Sequence, residues 1–388
     1  MSYGRISVGF PFIANRFGGS TVSSLLLAAG LQELGHNIVV IAHGTGPLIQ
    51  AAEDARLPLL RLPDFLHEDV AVTRDRFSGR NLLPFRDCRR TIRECALDVV
   101  HINDLATLRT WALPTATSRA RSIAHWRSNY HKSWSVDFGL RLCDLIISIA
   151  QYGRRRLPRW AHDKTVVEYN PFGACLDAAA ILRARQTVRT QLGLPVDAKL
   201  IGVFGNHAKR KQTNFLADVL SAVPVTAAGN PVFGVACGSR MEPYDDLLDA
   251  KIETFGLAER LFRPGFVRPV ENWMAACDLI LAPARSEPFG RTPFEAAQAG
   301  VPILMSSDSG AAEIIVSGET GVLIAPDDVR PWIEESRTIL NAPKRGEEMV
   351  RRAREALGRF TPQQHAERIE QLYRSVLARN LSPVRGAA

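Results

Sequence analysis

The feature that most constrains the fold of this chain is the alternation of short apolar runs with helix-length amphipathic stretches. Short apolar runs bounded by turn residues are typical of buried strands, and their alternation with helices favours parallel sheets. The sequence therefore predicts an α/β fold with helices on both faces of doubly wound parallel sheets. The predicted strands lie at 5–10, 37–42, 99–102, 122–125, 144–149, 165–168, 200–204, 232–237, 278–282, 302–306 and 321–324, and helical patterns lie at 20–34, 177–192, 212–223, 244–255 and 293–299.

The length of 388 residues suits two domains, or three, rather than one. The series of strands restarts after Asn170-Pro-Phe-Gly173, where proline and glycine interrupt the pattern. Thr361 as N-cap and Pro362 at the first helical position predict a C-terminal helix that packs back towards the N-terminal domain. The charged segment 63–84 predicts an irregular surface excursion. We therefore predict two Rossmann-like domains that face a cleft, an N-terminal domain over residues 1–170 and a C-terminal domain over residues 171–360. Residues 361–388 are predicted to form the C-terminal helix and a loose tail.

Composition excludes several classes of protein. With 46% hydrophobic and 23% charged residues the chain can bury sizeable cores, which excludes disordered and fibrous proteins. The six cysteines are scattered without zinc-ligand spacing, which suits a reducing compartment. The N-terminus lacks the pattern of a signal peptide, and the longest uncharged runs contain polar residues or proline, so no membrane-spanning helix is predicted. These observations predict a cytoplasmic protein.

Positive charge is concentrated in the first half of the chain, where residues 1–200 carry 26 Lys and Arg against 17 Asp and Glu. Such a surface can attract nucleic acid, an anionic membrane or a phosphorylated substrate. No recognised nucleic-acid-binding module is present, so nucleic acid is not a predicted partner. The run 154–156 of three arginines, with Arg159 and Trp160, is compatible both with a solvated helix face and with peripheral contact to an anionic membrane.

Two loops that follow predicted strands are suited to anions, because ligands of open parallel sheets bind at the carboxyl ends of strands. The first loop contains Gly18, Gly19 and Ser20 and leads into a helix, whose N-terminus favours an anion. Its spacing does not match the dinucleotide fingerprint, and a plain tight turn explains the glycines equally well.

The second loop, 205–212, places Lys209, Arg210 and Lys211 directly before a predicted helix. Three cations and the helix dipole together favour a phosphate or a diphosphate, and the alternative is a solvated basic turn.

A third loop and the helix that follows it carry one glutamate each. Glu287 follows the predicted strand 278–282, and Glu295 lies on the helix that begins near Pro293. Carboxylates in these places can accept hydrogen bonds from the hydroxyls of a sugar and a ribose, while the backbone N–H groups of 289–292 face an anion. Two glutamates eight residues apart are unspecific alone, but the whole run Glu-Pro-Phe-Gly, a second Glu and Ala-Gly-Val-Pro is far more specific.

Residues 282–324 resemble the donor-binding signature of the family-4 retaining glycosyltransferases, the group 1 glycosyl transferases of the GT-B fold. The resemblance extends over nearly the whole chain. The similar segments are the run from Ser286 to Gly290, the second Glu with the Ala-x-x-x-Gly-x-Pro run around Gly300, and the stretches 310–313, 319–323, 18–19, 34–38, 170–173 and 262–267.

The resemblance implies a glycosyltransferase that needs no metal and no separate cofactor, with a nucleotide-diphosphate sugar as donor substrate. It implies a sugar or lipid-linked acceptor, as in bacterial polysaccharide biosynthesis. Glu287 and His125 are implied as catalytic residues near the transferred sugar, and Gly18, Gly19 and Ser20 as an acceptor or phosphate loop. The implied donor-binding residues are Asn206, Lys209, Arg210, Lys211, Val267, Phe289, Gly290, Arg291, Thr292 and Glu295, of which Lys211 binds the diphosphate and Glu295 the ribose.

The sequence departs from the family at one position of the donor loop. The family has Gly-Arg followed five residues later by Lys-Gly, whereas this chain has Asn206 for the arginine and Lys211-Gln212 for the second pair. Lys211 keeps one cation, and Lys209 or Arg210 is predicted to substitute for the other. The alternatives are a nucleotide-sugar-binding protein without turnover and a nucleotide-sugar epimerase of the same fold.

His125 ends a predicted strand and matches the histidine that the family places near the transferred sugar; without that context such a histidine is typically structural or solvated. The aromatic residues Trp126, Tyr130 and Trp134 that follow form either a wall for a sugar acceptor or part of the core. His101 is interpreted as a packing residue.

Overall fold

The computed structural model of the chain describes residues 4–15, 17–64 and 82–378. Within these residues the chain divides into two compact units. The first comprises the residues up to Gly173 and those from Phe360 onward, and the second comprises Ala174–Arg359. The excursion predicted at 63–84 lies mostly outside the described residues, and its last three positions belong to a helix that begins at Leu82.

The described part of the first unit contains a parallel seven-stranded sheet in the order β3-β2-β1-β4-β5-β6-β7. Its strands are β1 (Ser7–Ile13), β2 (Asn37–His43), β3 (Leu59–Leu62), β4 (Val99–Ile102), β5 (Arg121–Trp126), β6 (Leu145–Ser148) and β7 (Thr165–Val167). Its helices are α1 (Gly19–Glu33), α2 (Pro47–Asp54), α3 (Leu82–Glu94), α4 (Leu105–Ala116), α5 (Trp134–Leu142) and α6 (Gln151–Arg156), with a 3₁₀ turn at Arg159–Lys164.

The second unit contains a parallel six-stranded sheet in the order β10-β9-β8-β11-β12-β13. Its strands are β8 (Lys199–Phe204), β9 (Val232–Cys237), β10 (Leu261–Gly265), β11 (Leu279–Ala282), β12 (Ile303–Ser306) and β13 (Val322–Ile324). Its helices are α7 (Ala178–Gln191), α8 (Phe215–Ala222), α9 (Tyr244–Thr254), α10 (Val270–Ala275), α11 (Thr292–Ala299), α12 (Arg330–Asn341) and α13 (Pro343–Leu357). A final helix, α14 (Pro362–Ala378), belongs to the first unit.

The predicted α/β fold with parallel sheets is confirmed. The central strands are buried and mostly apolar because helices cover both faces of each sheet; Leu279, Ile280 and Leu281 of β11, for example, are fully buried. In each unit the strand order reverses once, between β1 and β4 in the first and between β8 and β11 in the second. Open parallel sheets bind ligands outside the strand ends at such a reversal, which indicates where a site belongs.

The structure differs from the predicted elements at the edge strands β3 and β10, which are absent from the predicted strands, and at the start of α8. The sheet of the first unit gains an edge strand, β3, which prolines at 58 and 63 obscure in the sequence. The helix predicted directly after the run Lys209–Lys211 begins at Phe215, because that run forms a 3₁₀ turn and Gln212 adopts a left-handed φ of 48°. The predicted contribution of the helix dipole to this loop was therefore wrong. The positive charges of Lys209, Arg210 and Lys211 are what the loop offers to an anion.

Helix α14 completes the core of the first unit. Its residues Ala366, Ile369, Tyr373 and Val376 are buried in the same cluster as the strand β1 and the helix α1. The approach of α14 to α1 requires a glycine at position 30, since a Cβ there would lie 2.9 Å from the Cβ of Ala366 and 3.1 Å from the carbonyl oxygen of Pro362.

We predict that Gly30→Val destabilises the first unit by about 1–3 kcal/mol, the usual cost of forcing extra methyl groups into a packed interface. Urea denaturation followed by circular dichroism measures the change. Gln32→Val on the exposed side of α1 is the control, because it introduces the same β-branched residue without a neighbour from α14. Equal effects of the two substitutions would contradict the packing argument.

Candidate functional site

In the second unit a charged cluster lies at the reversal of strand order. The loops that follow the adjacent strands β8 and β11 meet there, and the backbone N–H of Arg285 donates to the carbonyl of Arg210 at 2.7 Å. The Nζ atom of Lys211 lies 2.7 Å from Oε2 of Glu287, and the guanidinium of Arg210 donates to the same oxygen. Two cations from one loop therefore share one carboxylate from the other.

Glu287 is ionised in this cluster. Burial by itself raises the pKa of a carboxyl group, but here the charge of Lys211, then that of Arg210, and their hydrogen bonds outweigh burial and lower the pKa of Glu287. Only 13% of the side chain is exposed. The cluster of Arg210, Lys211 and Glu287 thus carries a net positive charge, with the carboxylate buried and the two cations partly exposed and accessible to an anion.

The loop after β12 holds the backbone around Glu287. Ser286 has a left-handed φ of 48°, and its N–H and hydroxyl both donate to the carboxylate of Asp308, at 2.7 and 3.2 Å. Glu287 itself pairs with this loop through its N–H to the carbonyl of Asp308 and its carbonyl to the N–H of Gly310. These supports were not predicted, since a serine and an aspartate 22 positions apart give no pattern in the sequence.

The turn from Glu287 into α11 is fixed by packing and by a glycine. Gly290 has a φ of 88°, and a Cβ at this position would lie 3.2 Å from Cγ of Glu287. Phe289 is buried and stacks on Phe294 with ring centroids 5.3 Å apart. Thr292 and Pro293 begin α11, and Arg291 at the N-cap pairs with Glu295 through Nε and Oε1 at 2.8 Å. Glu295 is therefore held within the first turn of α11.

The other predicted donor-binding residues lie apart from the charged cluster. Lys209 is exposed, whereas Asn206 accepts a bond from the N–H of Ser239 at 3.4 Å. Val267 is half-buried just beyond the edge strand β10, next to Phe266, whose exposed ring lies 5.2 Å from the guanidinium carbon of Arg268. Of the three consecutive cations, the structure brings Arg210 and Lys211 to Glu287 and leaves Lys209 outside.

A second polar cluster in this unit was missed by the sequence analysis. His207 is buried beside Asn206, and its Nδ1 lies 2.9 Å from Oδ1 of Asp245 at the start of α9. Asp245 also accepts the N–H of Met241 and pairs with Arg263 on β10. Burial raises the pKa of Asp245, but its bonds to His207 and Met241 and the nearby charges lower the pKa below its usual value. This cluster ties the ends of β8, β9 and β10 together.

In the first unit, the glycine loop follows β1 at the equivalent place. Gly18 is the N-cap of α1 with an extended backbone, and a Cβ on it would meet no atom within 4 Å. The hydroxyl of Ser24, one turn after Ser20, donates to the side chain of Asn103 at 2.8 Å. This bond links α1 to the end of β4, so the loop of Gly18, Gly19 and Ser20 lies beside the reversal of strand order.

His125 at the end of β5 belongs to a chain of buried polar groups. Its Nδ1 lies 3.0 Å from Nε2 of His101 and 3.0 Å from Nη2 of Arg127, and Nδ1 of His101 lies 2.7 Å from the hydroxyl of Tyr373 on α14. Burial, followed by the charge of Arg127, holds the pKa of both histidines well below the ordinary value, so both are neutral. The interpretation of His101 as a packing residue was incomplete, since both of its ring nitrogens are hydrogen-bonded.

The three aromatic residues after His125 take different roles. Trp126 is buried in the core, and the hydroxyl of Tyr130 donates to Asp137 at 2.5 Å. Trp134 is 56% exposed and stacks on Phe138 with ring centroids 5.5 Å apart. The structure therefore assigns Trp126 to the core and Trp134 to the surface.

Two further observations apply to the described residues only. None of their helices is both long enough and apolar enough to span a lipid bilayer. Their His, Cys, Asp and Glu side chains form no group of three or more that is arranged to bind a metal ion.

Comparison with known proteins identifies the family. The profile of "Glycosyl transferases group 1" matches residues 184–356, and that of "Glycosyltransferase Family 4" matches residues 17–172. The lipopolysaccharide core biosynthesis mannosyltransferase LpsB of Rhizobium meliloti (strain 1021) is 25% identical over 380 residues, which are 96% of this chain and 98% of LpsB. The related mannosyltransferase LpcC of Rhizobium leguminosarum bv. viciae is 31% identical over 199 residues, about half of each chain (49% of this one and 54% of LpcC).

Solved structures show the same fold. HepE of Anabaena, crystallised with UDP and glucose, has a TM-score of 0.80 at 20% identity and covers 96% of this chain and 100% of its own. Sucrose-phosphate synthase from Thermosynechococcus elongatus has a TM-score of 0.77 at 16% identity, covering 97% of this chain and 100% of its own. The two parallel-sheet units, the two family profiles and these relatives agree, and the chain belongs to the family-4 glycosyltransferases of the GT-B fold.

Proposed function

We propose that the protein transfers a sugar from a nucleotide-diphosphate sugar to a glycan or lipid-linked acceptor, with retention of the anomeric configuration. The observation that supports this most directly is the cluster of Arg210, Lys211 and Glu287 at the strand reversal of the second unit. Two cations that share one carboxylate leave a net positive charge, which suits a diphosphate, and the carboxylate suits the hydroxyls of the attached sugar.

In this proposal Arg210 takes the place of the arginine that the family has at position 206. Arg210 and Lys211 contact the same carboxylate oxygen, whereas the side chain of Asn206 is bonded to the backbone of Ser239. A nucleoside diphosphate is already a stable leaving group, so positioning and charge stabilisation matter more than a strong acid. Glu295, held by Arg291, is the proposed partner of the ribose hydroxyls.

The relatives support the substrate classes. LpsB and LpcC are named as mannosyltransferases of lipopolysaccharide core biosynthesis, and HepE has been crystallised with UDP, with UDP-glucose and with UDP and glucose. A nucleotide-sugar donor and a glycan of the cell surface are therefore the proposed substrates. A thermal-shift screen with UDP, GDP, ADP and their sugars identifies the base, because a ligand that binds the native state raises its melting temperature.

The proposed chemistry is a front-face substitution that uses no metal. The bond between the anomeric carbon and the diphosphate oxygen breaks, and the acceptor hydroxyl forms the new bond on the same face of the sugar. The proton of that hydroxyl passes to the leaving phosphate oxygen, so no protein base is consumed. The net positive charge of the Arg210, Lys211 and Glu287 cluster stabilises the charge that develops on the diphosphate.

We predict that the anomeric configuration of the donor is kept in the product and that chelation of divalent metals leaves the rate unchanged. Proton NMR of the reaction with a glycan acceptor measures the first, and turnover in EDTA the second. Inversion would contradict retention. A changed nucleotide sugar in the absence of acceptor would indicate an epimerase, and tight binding without product would indicate a binding protein.

We predict that Lys211→Ala and Arg210→Ala each weaken binding of the nucleoside diphosphate by about 1.5–3 kcal/mol, roughly 10- to 150-fold, because each removes a charged hydrogen bond. Affinity for the nucleoside should change much less, since it has no phosphate. Isothermal titration calorimetry with the base found in the screen measures both. Lys209→Ala is the matched control, with the same loss of charge one position away from the cluster.

Equal losses for the nucleoside and its diphosphate would contradict a diphosphate contact. If Lys209→Ala lowers the affinity for the nucleoside diphosphate as much as Arg210→Ala does, Arg210 is not the residue that replaces the missing arginine.

We further propose that the first unit contacts an anionic membrane when its acceptor is lipid-linked. Arg155, Arg156 and Arg159 are exposed around the end of α6, and the guanidinium carbon of Arg141 lies 4.1 Å from the ring centre of Trp160. The exposed pair Trp134 and Phe138 lies on α5. Exposed arginines and aromatic rings are the residues that bind the interface of an anionic bilayer.

We predict that the protein co-sediments with vesicles containing anionic lipid and that replacing Arg155, Arg156 and Arg159 by Gln releases it. Each surface arginine contributes about 1 kcal/mol, and salt screens the attraction over about 8 Å at physiological ionic strength. Replacing Arg337, Arg351 and Arg352 of the second unit by Gln is the control. No co-sedimentation at low salt, or equal release by both triple variants, would contradict a membrane surface formed by the arginines near α6.

A further inference from the structure

The chain of buried polar groups in the first unit has one consistent direction of hydrogen bonding. Arginine has only donors, so Arg127 donates to Nδ1 of His125, and that nitrogen must be the acceptor. A neutral imidazole carries one proton, which therefore lies on Nε2 of His125. The neighbouring Nε2 of His101 must then be the second donor to Nδ1 of His125.

The same logic continues to helix α14. Because the proton of His101 lies on Nε2, its Nδ1 is an acceptor, and it receives the hydroxyl proton of Tyr373 at 2.7 Å. Tyr373 and His101 are fully buried and His125 is 2% exposed, so water does not compete for these bonds. The direction runs from Tyr373 through His101 to His125, with Arg127 donating to the same nitrogen.

The end of this chain is a donor without an acceptor. Within the described residues, Nε2 of His125 is buried and has no hydrogen-bond partner. His365 lies beside it with a ring centroid 6.1 Å away; its Nδ1 lies 3.3 Å from Glu168, and its Nε2, an acceptor, is also buried without a hydrogen-bond partner among the described residues. Leaving these two buried nitrogens unpaired is costly, and a hydroxyl from outside the protein suits both, because it can accept from Nε2 of His125 and donate to Nε2 of His365.

We propose that Tyr373, His101 and Arg127 are positioning residues that fix His125 as an Nε2–H donor for a sugar hydroxyl of the substrate. This proposal rests on the proposed function. In it, His125 gives a hydrogen bond and never accepts the proton of the acceptor hydroxyl, which is consistent with transfer of that proton to the leaving phosphate. The terminal helix α14 thereby helps to set the proton of a residue on β5.

The first test is the tautomer itself. We expect NMR of the full-length protein labelled with ¹⁵N-histidine to show His125 with its proton on Nε2 and a bare Nδ1, and the signal is assigned by its loss in His125→Gln. A charged ring, or a proton on Nδ1, would overturn the proposal. This readout needs no substrate, so it stands or falls independently of the proposed function.

The second test is a series of variants of the hydrogen-bonded residues His101 and Tyr373. His101→Phe and Tyr373→Phe should lower kcat by about threefold to tenfold, as expected for one lost positioning hydrogen bond, and leave KM for the nucleotide sugar unchanged. His101→Gln should restore kcat, because an amide both donates and accepts. Tyr169→Phe is the control, because it makes the same change in the same unit at a residue that is not part of the hydrogen-bonded series Tyr373, His101 and His125.

An unchanged kcat and an unchanged His125 tautomer in His101→Phe would overturn the positioning role. A protein in which His125 has the expected tautomer but which neither binds nor turns over nucleotide sugars would instead refute the proposed function. A KM that rises in His101→Phe and Tyr373→Phe while kcat stays unchanged would mean that these hydrogen bonds serve substrate binding alone. This outcome also contradicts the positioning role.

Discussion

The arrangement of the second unit depends on one carboxylate shared by two cations. Glu287 is buried, and a buried charge is stable only when opposite charges and hydrogen bonds surround it. The features around it meet that requirement: β8 and β11 are neighbours, so the loop with Arg210 and Lys211 can reach it, and the left-handed Ser286 turns the chain toward the loop after β12. Removing Lys211 or Arg210 would take away one of the two charges that stabilise the buried carboxylate.

The two units use the same topological place for different chemistry. Each sheet reverses its strand order once, and in both the loops beyond that reversal carry the polar groups. The second unit places a charged and partly accessible cluster there, suited to an anion. The first unit places a buried polar chain there, in which Arg127 is charged and burial keeps His101 and His125 uncharged. The same topology thus places a partly accessible charged cluster in one unit and a buried hydrogen-bonded chain in the other.

The sequence predicted most strands because buried parallel strands are mostly apolar, and it predicted the loops because they follow those strands. It missed two edge strands: the four residues of β3 lie between prolines, and β10 contains Arg263 and Pro264. It could not choose between Lys209 and Arg210, because that choice depends on a 3₁₀ turn and on the left-handed Gln212, which composition does not reveal. The bond between His101 and Tyr373 was beyond prediction, since it joins residues 272 positions apart.

The placement of α14 in the first unit makes that unit discontinuous along the chain, with the whole of the second unit inserted between its two parts. During synthesis, the residues of the second unit are complete before α14 leaves the ribosome, and domains fold as their residues become available. Until α14 is synthesised, the part of the first core that Ala366, Ile369 and Tyr373 cover is exposed. Helix α14, which follows the whole second unit along the chain, thus completes a core whose strands are synthesised first.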